Sequence, residues 1–169
     1  MRVKITQENK MLVWNFLKEN NIAQRGVGDG SKTEQYIGLL GEVTTKRLFG
    51  VDTELKPGFD GGFDFKFNGQ KIDVKTMGRN VDMKPSYVHN FGALQKHFKC
   101  DVYIFTSLNK KTSELTICGW VTKKELLERG EKFKKGSKRL RDNGTYTVFK
   151  APVYEIKDKD LNPIKDLLK

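Results

Sequence analysis

The chain has 169 residues, with 32 Lys and Arg against 21 Asp and Glu, for a formal net charge of +11. Its 37% hydrophobic and 11% aromatic residues suffice for a core, which excludes intrinsic disorder, and no apolar run approaches the roughly 20 residues of a membrane-spanning helix. A cation excess of this size suits a polyanionic partner, because lysine and arginine release counterions from a phosphate backbone.

The polar stretch after Met1-Arg2-Val3-Lys4 lacks the apolar region of a secretory leader, so a cytoplasmic location and one domain over 1–169 are expected. Cys100 and Cys118 fall in apolar stretches and read as reduced core thiols; with His89 and His97 they give no zinc-ligand spacing.

Met11, Leu12, Trp14, Phe16 and Leu17 predict an amphipathic helix over 6–20. A glycine-rich stretch follows, Gly26-Val27-Gly28-Asp29-Gly30-Ser31-Lys32. Ser31 stands where a phosphate-binding loop requires glycine, and the stretch follows a helix rather than a strand, so it reads as a loop near the substrate. A second helix is predicted over 33–49, stopped by Gly50. Then the period changes to two: Phe63, Phe65 and Phe67 alternate with Asp64 and Lys66, and after Asn68-Gly69 come Ile72, Val74 and Thr76, alternating with Lys71, Asp73 and Lys75. Asn-Gly between two alternating runs predicts a hairpin. A helix over 88–98, strands over 100–107 and 114–121, a capping-box helix over 122–129, a basic loop, strands over 145–149 and 153–156 and a tail over 161–168 complete the reading. Helices interleaved with a mixed sheet predict an α/β or α+β class.

A two-residue turn at Asn68-Gly69 pairs Phe67 with Gln70 and, carried outward, sets Asp64 opposite Asp73. These aspartates then share a polar face with Lys66, Lys71 and Lys75, while the phenylalanines, Ile72, Val74 and Thr76 face the core. Like charges directly opposed, with Cβ atoms roughly 4.5–5.5 Å apart, are destabilising and call for a compensating cation. Hard Mg²⁺ suits two carboxylates and leaves sites for water and phosphate oxygens. The plainer alternative is a solvated checkerboard in which Lys66 and Lys71 balance the aspartates diagonally.

Gly38-Leu39-Leu40-Gly41-Glu42 on a helix, Gly62-Phe63-Asp64, and Ile72-Asp73-Val74-Lys75-Thr76 on the following strand resemble the PD-(D/E)XK nuclease superfamily over about residues 33–107. The resemblance implies a restriction-endonuclease-like mixed sheet flanked by helices, here with a small C-terminal β/α extension over about 122–169. It implies Glu42, Asp64, Asp73 and Lys75 as catalytic residues, with Mg²⁺, or Mn²⁺ as substitute, held by Asp64, Asp73, the Val74 carbonyl and Glu42. It also implies hydrolysis of phosphodiesters, with DNA as the expected partner and a homodimer as one arrangement. Phe63 stands where the family usually has proline, and no Gln-x-x-x-Tyr of the RecB-like exonuclease branch follows. Glu42 alternatively pairs with Lys46 one turn on, and Asp60 is a reserve acid. The rival function is a catalytically silent nucleic-acid-binding module on the same scaffold.

Arg129, Lys132, Lys134, Lys135, Lys138, Arg139 and Arg141 are opposed only by Glu131, and the stretch from Lys132 to Arg141 is the expected phosphate-gripping loop, with ordinary solvated surface as the plainer alternative. Tyr87, His89, Asn90 and Gln95 could reach a substrate from the helix over 88–98, although surface polar residues are the plainer account.

Overall fold

The computed structural model describes residues 1–20, 22, 30–57 and 61–169. The glycine-rich stretch up to Asp29 and the reserve acid Asp60 lie outside the described residues. Strand β1 (Arg2–Lys4) leads into helix α1 (Gln7–Glu19), where the Thr6 hydroxyl accepts the Asn9 N–H at 3.1 Å and caps the first turn. Helix α2 (Lys32–Leu48) opens on a capping box. The Ser31 hydroxyl accepts the Glu34 N–H, and the Glu34 carboxylate accepts the Ser31 N–H at 2.7 Å. Gly50, at φ +64°, turns the chain out of the helix where the sequence predicts a stop.

Strands β2 (Phe65–Phe67) and β3 (Gln70–Arg79) form the expected hairpin, with Asn68 and Gly69 both at positive φ and Phe67 paired with Gln70, Lys66 with Lys71, and Phe65 with Ile72. Next comes β4 (Val88–Gly92), followed by a single 3-10 turn, Ala93–His97. The span 88–98, predicted as one α-helix, is therefore a strand followed by a 3-10 turn. His89 and Phe91 are both fully buried, and their alternation with Val88, Asn90 and Gly92 is a strand period that the polar character of His89 conceals.

The chain continues through β5 (Val102–Asn109), β6 (Glu114–Thr122) and helix α3 (Lys123–Arg129), the last opened by a Thr122/Glu125 capping box. The predicted basic loop instead contains two short strands, β7 (Glu131–Phe133) and β8 (Lys138–Leu140), with β8 paired to β9 (Tyr146–Val148). Strand β10 (Val153–Lys157), a 3-10 turn (Asp158–Asp160) and the short α4 (Ile164–Leu167) complete the described elements.

The main sheet runs β1-β6-β5-β3-β2, with β3 and β5 parallel and its other pairs antiparallel, so the protein is a mixed-sheet α/β structure. Every residue of β5 is buried, as befits the middle strand. Val102 and Ile104 pack toward α1 and α2 with Ile37, Val43, Ile72 and Val74, while Tyr103 and Phe105 pack on the other side with Phe91, Leu126, Tyr154 and Ile156. That second core is closed by a three-stranded sheet, β4-β10-β7.

Helix α2 approaches β3 closely at Gly41, where a Cβ would overlap the Thr76 side chain. This contact sets the height of Glu42 over the strand. Gly41→Ala is expected to lower stability by about 1–3 kcal/mol, the usual effect of overpacking a well-filled core. Chemical denaturation measures it, and adding Thr76→Ala should recover part of the loss.

Candidate metal and nuclease site

The hairpin ladder ends one residue earlier than the extrapolated register. The Asp64 N–H donates to the Ile72 carbonyl at 2.8 Å, while Phe65 is the residue paired with Ile72. Asp64 is thereby released from a flat cross-strand position, and its Oδ2 accepts the Val74 N–H at 2.7 Å. Phe63 leaves the Phe65 face with it. Lys66 and Lys71 lie over the Phe63 ring, 6.0 and 5.5 Å from its centroid, rather than forming the checkerboard that the alternation suggests. The N–H and C=O of an extended residue share one strand edge, so the Val74 carbonyl faces the same open edge as the Asp64 carboxylate.

Asp73 and Lys75 project from β3 beside Tyr103 and Phe105 of β5, so the polar face is a cleft wall rather than open surface. The Asp73 side chain is only 6% exposed, and its Oδ2 lies 2.8 Å from Lys75 Nζ. Glu42 comes from α2, with Oε1 2.6 Å from Lys46 Nζ. The local pairing foreseen as the alternative for Glu42 is present, yet the residue also lines the cleft. Glu42, Asp64, Asp73, Val74 and Lys75 all border one cavity of about 560 Å³, which Phe63, Gln95 and Phe98 help to close.

The electrostatics of this cleft favour a cation. Burial, then the negative charges of Asp73 and Glu42, push the Asp64 carboxyl well above the usual carboxylate range, against the opposing pull of Lys75 and the Val74 N–H. Burial alone would lower the Lys75 ammonium, but Asp73 and Asp64 outweigh it and hold the group above its ordinary value. Cys100 is buried, as expected of a core thiol, and its thiol is pushed up to about 12 by burial and by Asp73. The donor set of two to three carboxylates and a backbone carbonyl is that of a hard cation, so the residues fit Mg²⁺ or Mn²⁺.

A second group of possible ligands carries no signal in the sequence. His89, Cys118 and Asp158 lie far apart along the chain, yet their ligand atoms fall within 4.8 Å of one another. His89 Nε2 is 3.0 Å from Asp158 Oδ1, and burial holds the imidazole below its ordinary pKa. The Cys118 thiol is raised by burial and by the adjacent Asp158 carboxylate. Burial would raise Asp158 as well, but hydrogen bonds from His89 and Cys118 and the nearby Arg79 charge keep it low. That guanidinium opposes a further dication, and the group reads as a partly buried hydrogen-bonded network.

Of the other expected contact residues, Gln95 borders the main cleft, Tyr87 and Asn90 border a separate cavity, and His89 is buried. The basic segment divides. Lys132, Lys134, Lys135, Lys138 and Arg141 are exposed, with Lys132 over the Tyr154 ring. Arg139 instead places Nε 2.6 Å from Oε2 of Glu155, whose side chain is 2% exposed. Neutralising Lys134, Lys135 and Lys138 together should therefore leave stability unchanged and lower the slope of log K against log salt by about 0.9 per lost phosphate contact on duplex. Arg139→Ala should instead destabilise the fold, because it strands a buried carboxylate. Salt-titrated binding and thermal melts of the two variants check this division.

No family model, curated protein or solved structure matches the chain.

Proposed function

We propose that the protein is a Mg²⁺-dependent nuclease of the PD-(D/E)XK kind, with a restriction-endonuclease-like core, that hydrolyses phosphodiester bonds in DNA. One observation carries the reading: Asp64 is raised by burial together with Asp73 and Glu42, in a cleft that also holds Lys75. Clustered carboxylates of this kind cost stability without a cation, and clefts with such perturbed groups are functional-site candidates. Asp64, Asp73 and the Val74 carbonyl would hold Mg²⁺, with Glu42 joining directly or through water. When bound, the ion supplies charge stabilisation to a phosphoryl oxygen and acidifies the attacking water.

The chain's own groups supply the rest. Lys75, oriented by Asp73 at 2.8 Å, donates toward the water and toward charge developing on the phosphoryl group. Glu42, tethered by Lys46, orients water on the α2 side of the cleft. Water attacks phosphorus in line, the opposite P–O bond breaks, and the products are a phosphate monoester and a hydroxyl.

A second reading, a nucleic-acid-binding module without catalysis, draws on the Lys75–Asp73 and Lys46–Glu42 pairs, which neutralise two of the three carboxylates internally. Incubation with supercoiled plasmid, linear duplex, branched DNA and RNA separates the two. The nuclease reading expects cleavage of DNA with Mg²⁺ or Mn²⁺ and none with chelator; the binding-module reading expects retention of nucleic acid with no cleavage under any metal.

A further inference from the structure

A second cavity, of about 390 Å³, opens farther along β3 and is lined by Arg79, Tyr87, Asn90, Arg141 and Thr147 among others. Side chains two apart on a strand share a face, so Arg79 stands in one row with Asp73, Lys75 and Met77. At roughly 3.3 Å per residue, Arg79 lies about 13 Å beyond Lys75, the axial length of about four nucleotide steps in duplex.

Arg79 is built into the cavity wall. One Nη donates to the Val88 carbonyl at 2.7 Å, and the guanidinium carbon lies 4.9 Å from the Tyr87 ring centroid. Its Nε is buried with no hydrogen-bond acceptor, so the protein satisfies the guanidinium only in part. Arg141 is aimed by its Nε, which donates to the Thr147 hydroxyl at 2.5 Å, and its terminal nitrogens make no other hydrogen bond among the described residues. Arg139 also lines the cavity but is held by Glu155. The one carboxylate among the described lining residues, Asp142, is exposed and accepts the Ser86 hydroxyl at 3.3 Å.

We infer that this cavity seats a phosphodiester group of the nucleic-acid strand, gripped by the forked donors of Arg79 and Arg141, on the same β3 face as Lys75. The chemistry is that of paired guanidinium forks on a phosphate. The inference rests on the nucleic-acid part of the proposed function, and it adds an anchoring point that fixes the register of the strand relative to the cleft. Arg79 comes from the main sheet and Arg141 from the β8–β9 hairpin, so seating a phosphate also ties that hairpin to the sheet.

The test uses the intact protein in chelator, following the arginine Nε–H resonances by NMR during titration with a 12-base-pair duplex, inorganic phosphate or adenosine monophosphate. Arg79→Lys and Arg141→Lys assign the signals. The expected result is a saturable shift of both resonances with duplex, reproduced at higher concentration by inorganic phosphate. Arg141→Ala should lower the salt slope of duplex binding by about 0.9 without changing the melting temperature. Duplex binding that leaves both resonances unmoved overturns the inference, as does a response to free phosphate or monophosphate alone. Shifts of both resonances by duplex in a protein that never cleaves would sustain this site while removing the nuclease reading; cleavage without those shifts would do the opposite.

Discussion

Asp73→Asn and Lys75→Ala should each reduce Mg²⁺-dependent cleavage of plasmid by at least about 10²-fold, the scale of losing one preorganised charge-stabilising group. Duplex affinity in chelator should stay within about threefold of the parent, since affinity comes from lysine and arginine contacts to phosphates elsewhere. The two variants remove different things. Asp73→Asn keeps the shape of the side chain but takes away a metal-binding charge and weakens the 2.8 Å link that orients Lys75. Lys75→Ala leaves every carboxylate in place and removes the donor that meets the developing charge. Elevated Mg²⁺ should therefore restore part of the activity of Asp73→Asn and none of that of Lys75→Ala. Initial rates across a Mg²⁺ series, beside fluorescence anisotropy with chelator, check both halves. Cleavage that survives both substitutions at parental rates would remove the catalytic assignment.

How much of this arrangement is legible in the sequence depends on how local its determinants are. The hairpin around Asn68-Gly69 is readable because a positive-φ turn and a period of two are written within fourteen positions, and its three ladder pairs follow from turn length alone. The Thr122/Glu125 capping box is likewise local and falls where expected, while the equally local Ser31/Glu34 box is missed because the glycine-rich stretch before it reads only as a loop. The end of the ladder at Phe65 is not readable, because it depends on Asp64 finding the Val74 N–H and on Phe63 finding Lys66 and Lys71. Strand β4 was hidden for a different reason: His89 is polar in isolation and becomes a core residue only when Asp158, sixty-nine positions away, supplies its partner.

The basic segment carried a signal that its charge obscured. Asn143-Gly144 sits between β8 and β9, with Gly144 at φ +79° and the Arg141 N–H donating to the Thr145 carbonyl at 2.7 Å. It is the same Asn-Gly cue as in the first hairpin, but flanking lysines and arginines mask the alternation. The ion pair between Arg139 and Glu155 has no local cue at all, since a charge run gives no sign of which member turns inward to a buried carboxylate.

Asp64→Asn should separate an active site from an ordinary charged cleft by its dependence on both pH and metal. The asparagine side-chain oxygen can still accept the Val74 N–H, so the local fold is kept while the charge is lost. In the parent, the folded-state carboxyl of Asp64 is raised above its ordinary value by burial and by Asp73 and Glu42. Between the ordinary value and the raised one, the folded protein retains a proton that the unfolded chain has released, so this group's contribution makes stability fall as pH rises through that interval. Without metal, Asp64→Asn should therefore be at least as stable as the parent at neutral pH, and its stability should fall less from mildly acidic to neutral pH. Mg²⁺ acts in the opposite direction, because a ligand that binds only the folded state stabilises the parent by about 2.7 kcal/mol at a hundredfold excess over its dissociation constant. The variant, short of one ligand, should lose most of that gain, reversing the order of stability when metal is added. Thermal melts of both proteins over a pH series and a Mg²⁺ titration measure this reversal. A variant less stable than the parent at every pH, beside a parent that does not respond to Mg²⁺, would mean that Lys75 and Lys46 already balance these carboxylates and that the cleft is a structural salt-bridge network.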